Sequence, residues 1–273
     1  MKSVAVIIPI YKMFPNSCEE ISFRRTLHVL GEYPIIIMCP NGLDISVYNR
    51  LSFEERGYDT HLFCESFAPE YFNSIKGYSR LLLSKTFYER FIQYEYILIC
   101  QLDAYVFRDD LIYWCNKGFD FVGAPWFDAD WNVESYLHEG KVGNGGFSLR
   151  RVEAFLSYFN GKKHVVPLNQ IAKHINFRAK PHTRWFVWLL MAMGWHNSPK
   201  SFANNYQRNE DGFWCGYLER TNYELFLPSV QEALEFAWER FPSEIFKKIG
   251  HLPFGCHAWK KYEYETFWKQ YIQ

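Results

Sequence analysis

The sequence predicts an α/β protein: a mostly parallel, doubly wound sheet flanked by helices, with a more helical C-terminal part. Three observations predict it. Apolar runs of strand length occur at Val4–Ile10 and Tyr96–Cys100, amphipathic helical spacing lies between them, and this alternation fades beyond Gly146. A run that is apolar at every position reads as a strand covered on both faces, as in a parallel sheet.

The elements follow in order. Val4-Ala5-Val6-Ile7-Ile8-Pro9-Ile10 is the first strand. Ser17 or Cys18 opens an amphipathic helix to about Leu30, with Gly31 where a C-cap is expected. Pro34 to Cys39 is a second strand stopped by Pro40-Asn41-Gly42, and His61 to Cys64 a third. Helical spacing from about Ser74 to Gln93 leads into the strand Tyr96–Cys100, and Phe119 to Val122 is a further strand. Helices are expected near Arg151–Phe159, Thr183–Met193 and Ser229–Arg240. There is no internal repeat and no long Gly/Ser linker, so one compact unit of 273 residues is expected. Sites in such sheets lie beyond the carboxyl ends of the strands, which puts Pro9-Ile10-Tyr11 and Gln101-Leu102-Asp103 on one edge.

Composition narrows the function classes. Apolar residues make up 48% and aromatics 20%, enough for a sizeable core and also suited to stacking on sugar rings. A formal net charge of zero argues against a general nucleic-acid binder. The distribution is uneven: Ala154 through Asn209 holds no Asp or Glu but eight Lys or Arg and four His, a local positive field that suits an anionic partner. The seven cysteines form no CxxC pair and several lie in apolar runs, which reads as reduced buried thiols. Met1-Lys2-Ser3 runs straight into a strand with no signal-type segment, and the longest strongly apolar stretch, Trp185 to Trp195, is too short to span a bilayer. The expectation is a cytoplasmic protein.

Several segments carry candidate chemistry. Asp103 ends a buried strand, where a carboxylate needs a metal, a ribose hydroxyl or a turn to satisfy it. Gly123-Ala124-Pro125-Trp126 lets backbone approach a ligand and offers Trp126 to a sugar ring. Gly143-Asn144-Gly145-Gly146-Phe147-Ser148-Leu149-Arg150 points to close backbone passage, although Asn-Gly also favours a plain hairpin turn. Glu210 and Asp211 break the acid-free stretch. A carboxylate there can take a proton from a hydroxyl, or simply sit in an exposed turn. His257, between Gly255-Cys256 and Trp259, can ligate a metal or bind phosphate.

In this order these pieces resemble the GT-A glycosyltransferases, and more closely the family known as domain of unknown function 5672. The resemblance rests on Val6–Tyr11, Gln101–Phe107, Gly123–Trp126, Gly143–Arg150, Asn209–Asp211 and Phe254–His257, which span nearly the whole chain. It implies a GT-A-like, Rossmann-like fold with a nucleotide-sugar part over about residues 1–150 and an acceptor-side part over about 151–273. It also implies transfer of a sugar from a nucleotide-diphosphate donor, a UDP-sugar first, to a hydroxyl of a glycan or lipid-linked glycan in polysaccharide synthesis. Pro9, Ile10, Tyr11, Gln101, Asp103, Ala104 and Tyr105 would bind the donor, and Trp126, Asn144, Gly145 and Gly146 would border the sugars. Asp211 would be the base of an inverting reaction, with Glu210 as the alternate. A divalent cation, Mn2+ or Mg2+, would be held by Asp103 with His257. The family's Asp-x-Asp motif has Tyr105 at its second acidic position here, which puts the metal in doubt. Where the metal is weak or absent, Lys and Arg of the basic stretch would neutralise the diphosphate.

Two other classes stay open on sequence. A nucleotidyltransferase or phosphotransferase also uses a strand-end Asp with metal, but Tyr11-Lys12-Met13-Phe14 offers no Gly-rich phosphate loop after the first strand. A catalytically inert glycan-binding relative is favoured by Tyr105. Peripheral membrane contact is a further expectation, from Trp185–Met191 after the basic run and from Trp259–Tyr262 and Phe267–Lys269; a buried core helix explains the first of these equally.

Overall fold

The computed structural model describes residues 3–57, 62–127, 141–161, 164–175, 180–218, 221 and 223–272. Its strands are β1 (Val4–Pro9), β2 (Ile35–Pro40), β3 (Leu62–Phe67), β4 (Tyr96–Cys100), β5 (Tyr105–Val106) and β6 (Phe121–Gly123). They continue with β7 (Pro125–Trp126), β8 (Lys141–Val142), β9 (Phe147–Arg151), β10 (Ala237–Trp238) and β11 (Gly255–Cys256). Six form the central sheet in the order β3-β2-β1-β4-β9-β6. Only β9 runs against its neighbours β4 and β6, so the sheet is mostly parallel, as the apolar runs predict.

Both faces of the sheet are covered, and alternate residues show it. Ala5, Ile7, Ile36, Met38, Ile97 and Ile99 pack on one side with Phe155 and Trp214. Val6, Ile8, Ile35, Ile37 and Leu98 pack on the other with Phe23, Leu27 and Tyr48. A side chain reverses face at each step along a strand, so a strand buried at every position needs helices on both sides.

The first helix, α1 (Ser17–Leu30), starts one residue after Asn16, whose side chain accepts from Glu19 N while Glu19 reaches back to Asn16 N. This reciprocal cap fixes the start, and Gly31 is the C-cap. The third predicted strand extends further than its apolar run, to Phe67, because β2 supplies backbone partners along its length; His61 lies outside the described residues. A helix α2 (Ser46–Arg56) lies between them and was not expected.

Three expectations need correction. The segment from Ser74 to Gln93 is two helices, α3 (Ile75–Leu82) and α4 (Lys85–Glu89). Ser84 Oγ accepts from Phe87 N at 3.2 Å and caps a new helix, so its hydroxyl wins over helix continuation while the apolar spacing carries on unbroken. The helix expected to reach Arg240 ends at Phe236, because Ala237 is extended and Ala237–Trp238 pairs in parallel with β11. The strand expected at Phe119 to Val122 begins only at Phe121; Gly118 is left-handed after α5 (Leu111–Lys117), and the Asp120 backbone turns instead to Phe226.

Beyond Arg151 the chain is mainly helical, with helices at Val152–Asn160, Arg184–Ala192, Pro199–Asn205 and Pro242–Ile249. It returns to strand twice, however, and a small sheet in the order β10-β11-β5 results. All seven cysteines are free thiols. Among the described residues no helix is long and apolar enough to cross a membrane.

Candidate active site

The antiparallel strand β9 sets the site. Because Phe147 pairs with Cys100, the residues just before β9 lie at the carboxyl end of β4. There Gln101 N donates to Gly146 O at 2.9 Å, which clamps the Asn144-Gly145-Gly146 loop against the strand end that leads to Asp103. Asn144 Oδ1 accepts from Gly146 N at 3.0 Å and closes the loop on itself.

The small sheet brings three more side chains to the same rim. Cys256 pairs with Tyr105 and with Trp238, so the residues flanking those pairs, Asp103, Glu239 and His257, lie close together. His257 Nε2 is 3.2 Å from Asp103 Oδ1 and 3.3 Å from Gln101 Oε1, and its Nδ1 is 3.6 Å from Glu239 Oε1. Glu239 Oε2 in turn accepts from Asn144 Nδ2 at 2.9 Å. Burial disfavours charge on the His257 ring, but the two carboxylates outweigh it and lift its pKa to about 10. Partial burial raises the Asp103 carboxyl, yet the His257 hydrogen bond and charge outweigh that and hold it below the ordinary value.

The third contribution comes from Glu210–Gly212, a single helical turn that runs into a π-helical segment, Phe213–Tyr217. Asp211 Oδ2 accepts from Gly145 N at 3.2 Å and Oδ1 from Gly212 N at 2.7 Å. Glu210 turns the other way, into the core. Its Oε1 accepts from Arg150 Nη2 at 2.9 Å and Ser79 Oγ lies 3.4 Å from Oε2. Arg150 is fully buried, and its other nitrogens donate to Ser148 Oγ at 3.1 Å and Tyr88 OH at 3.2 Å. Burial, and next the charge of Glu210, raise the Asp211 carboxyl to about 7.

Two glycines are needed for this closeness. A Cβ on Gly145 would lie 2.5 Å from Glu210 Oε1 and 3.2 Å from Arg150 Nη2, and one on Gly146 would run into the His257 imidazole. Gly146→Ala is therefore expected to push the ring off Asp103 and Glu239 and so to lower the His257 pKa from about 10. NMR titration of the imidazole beside far-UV circular dichroism checks this; an unchanged His257 pKa in a folded Gly146→Ala protein would contradict it.

Asp103, Gln101, Asn144, Gly145, Gly146, Asp211 and His257 thus gather at one rim. Asp211 also opens on a cleft of about 1260 Å3 lined by Trp126, Tyr206, Arg208, Glu239 and Arg240, among others. The remaining sequence candidates lie elsewhere in character. The Pro9, Ile10 and Ala104 side chains are buried, so only their backbone can face a ligand, whereas Tyr11 is exposed at the end of β1. Tyr105 is buried in a core cluster, its ring against Phe107, with the Arg25 guanidinium 5.5 Å from its centroid. Sequence reasoning missed Glu239, because the segment read as continuing helix, and it missed the role of Arg150 as partner of Glu210. Nothing in a single sequence marks either.

The metal implied by the resemblance can be tested against the donors present. Among the described residues no group of three or more His, Cys, Asp or Glu side chains could hold a metal ion. Asp103 Oδ1 and His257 Nε2, 3.2 Å apart, match the spacing of two adjacent corners of an octahedral Mn2+ or Mg2+, about 3 Å, once the ring gives up the proton that Asp103 and Glu239 hold on it. The pair fits as part of a site that a phosphate-bearing ligand would complete.

A family model described as "Protein of unknown function (DUF5672)" matches residues 61–257. No curated protein matches the chain. Among solved structures, an active-site mutant of LgtC is 12% identical with a TM-score of 0.50, over 93% of this chain and 86% of that one. The galactosyltransferase LgtC with donor and acceptor sugar analogs is 11% identical with a TM-score of 0.47, over the same 93% and 86%. Core-mannan synthase A from Aspergillus fumigatus, in a Mn/GDP form, is 12% identical with a TM-score of 0.42, over 78% of this chain and 71% of that one. The likeness to the LgtC mutant is one of fold, and the fold is GT-A-like.

Proposed function

This chain belongs to the DUF5672 family, and we propose that it is a glycosyltransferase that moves a sugar from a nucleotide-diphosphate donor to an acceptor hydroxyl with inversion. The observation that carries the reading is the convergence on the Asn144–Gly146 loop. Asp211 bonds to Gly145 N, His257 packs on Gly146, and Asp103 stands 3.2 Å from His257. A base and a cation-holding pair on adjacent glycines give one reacting centre two sides.

On this reading the diphosphate lies over the carboxyl ends of β1 and β4, beside Asp103 and His257, with Tyr11 against the nucleoside; a UDP-sugar is the first donor to test. Asp103 and His257 would hold a divalent cation, which supplies charge neutralisation of the leaving diphosphate when bound. The chain's own cations add to this: Lys261 lowers the Asp103 carboxyl by its charge, and Arg208 and Arg240 line the cleft. Trp126 and Asn144 border the sugars. The acceptor oxygen attacks the anomeric carbon as the bond from that carbon to the diphosphate oxygen breaks, and the hydroxyl proton passes to Asp211. We assign the base to Asp211 rather than Glu210, because Glu210 is buried and committed to Arg150, while Asp211 opens on the cleft with a pKa raised to about 7.

The glycosyl-transfer reading is tested by incubating the protein with a panel of nucleotide sugars and following release of nucleoside diphosphate, with and without Mn2+. Release from at least one donor is expected; none from any would overturn the reading. Asp103→Ala is expected to weaken nucleotide binding in the presence of Mn2+ by about 10- to 100-fold. Unchanged affinity would remove Asp103 from the site. A second reading, a glycan-binding relative without turnover, is favoured by Tyr105, which stands where a second carboxylate is expected and is buried. It predicts nucleotide-sugar binding with no release.

A further inference from the structure

We propose that the outer face of the helix Arg184–Ala192, with Met193 and Trp195 beyond it, docks flat on a lipid bilayer carrying anionic phosphate headgroups. Of this helix only Met191 is buried. Trp185 is 69% exposed, Phe186 50%, Met193 62% and Trp195 66%, and Trp188 and Leu189 are also open to solvent. At 100° per residue Trp188, Ala192, Trp185, Leu189, Met193 and Phe186 fall on one continuous arc with no charged residue in it. A contiguous patch of large apolar side chains on a folded surface marks an interaction site, and tryptophan in particular suits the boundary between headgroups and acyl chains.

Charge identifies the partner. Lys173, Lys180, His182, Lys200 and Arg208 are all exposed in the same segment, which contains no Asp or Glu from 154 to 209. A second copy of this chain is the poorer occupant, because a two-fold contact would set this basic segment against itself. Anionic headgroups complement the segment instead, and Lys180 and His182 immediately precede the helix. The inward face of the helix serves the cleft, since Val187 and Met191 line the space on which Asp211 opens. Docking would therefore hold the wall of that cleft next to the membrane, which suits an acceptor linked to lipid. This last step rests on the proposed transfer reaction, whereas the docking itself does not.

The test is co-sedimentation of the full chain with phosphatidylcholine vesicles and with vesicles that also contain phosphatidylglycerol. Wild type is expected to bind the anionic vesicles, less so as salt is raised. Trp185→Ala with Trp188→Ala is expected to weaken binding about tenfold or more while leaving melting and donor hydrolysis unchanged, since both side chains are exposed. Lys180→Glu with Lys200→Glu is expected to abolish the preference for anionic lipid. Failure of wild type to bind, or equal binding by the tryptophan variant, would overturn the proposal. So would self-association of wild type that the tryptophan variant abolishes without any vesicle binding. Vesicle binding without donor turnover would leave this surface standing and remove the transfer reaction; turnover without vesicle binding would do the reverse.

Discussion

Asp211→Asn is expected to lose transfer by about 10²–10⁴-fold while binding the donor nearly as well as wild type, because a positioned base contributes about that much and touches the acceptor rather than the diphosphate. The pH dependence has a definite sign. Burial and the Glu210 charge raise this carboxyl to about 7, and the base works only when ionised, so wild-type kcat/KM should fall as pH drops through about 7. Stability carries the opposite imprint. A carboxyl whose folded pKa exceeds its unfolded value favours the folded state below the unfolded value, near 3.8, and that contribution is lost as pH rises through about 7. The melting difference between Asp211→Asn and wild type should therefore move in favour of the variant between those limits, by up to about 4 kcal/mol. Normal turnover in the variant would exclude Asp211 as base, and a pH-independent melting difference would contradict the raised pKa.

Arg150→Met is expected to destabilise the fold by about 3–5 kcal/mol, since it leaves the buried Glu210 carboxylate without its cation and orphans bonds to Ser148 and Tyr88. A buried pair can be replaced together at far lower cost than either partner alone, so Arg150→Met with Glu210→Met should recover most of the loss. Urea unfolding measures both. A loss below about 1 kcal/mol for the single variant would show that Glu210 finds protons or other partners instead. The pair also matters for chemistry: Glu210 pulled toward Arg150 leaves Asp211, the next residue, turned to Gly145.

Much of the sheet was legible because parallel strands are covered on both faces and must be apolar throughout; Val4–Pro9 and Tyr96–Cys100 declare themselves in this way. Boundaries set by a single polar side chain were not. Ser84 starts a new helix without disturbing the spacing of Leu82, Phe87 and Phe91. Of the candidate site, Asp103, Asn144–Gly146 and Asp211 could be singled out, because strand ends, clustered glycines and an acid breaking a basic run each have a local signature; His257 stands out only by its neighbours and by the resemblance. Glu239 could not be singled out. Its position depends on Ala237–Trp238 pairing with a strand some 18 residues later, a contact that no local pattern encodes. Tyr105 illustrates the same limit from the other side: its place in the motif points outward to a ligand, while packing against Phe107 and Arg25 turns the ring into the core.

Melting of the wild-type protein and of Gly146→Ala, each with a panel of nucleoside-diphosphate sugars and Mn2+, probes the shared rim most directly, since a ligand bound to the native state raises its midpoint. At least one donor should raise the wild-type midpoint and raise that of Gly146→Ala clearly less. Equal shifts in both proteins would place the nucleotide sugar somewhere other than beside Asp103, Gly146 and His257.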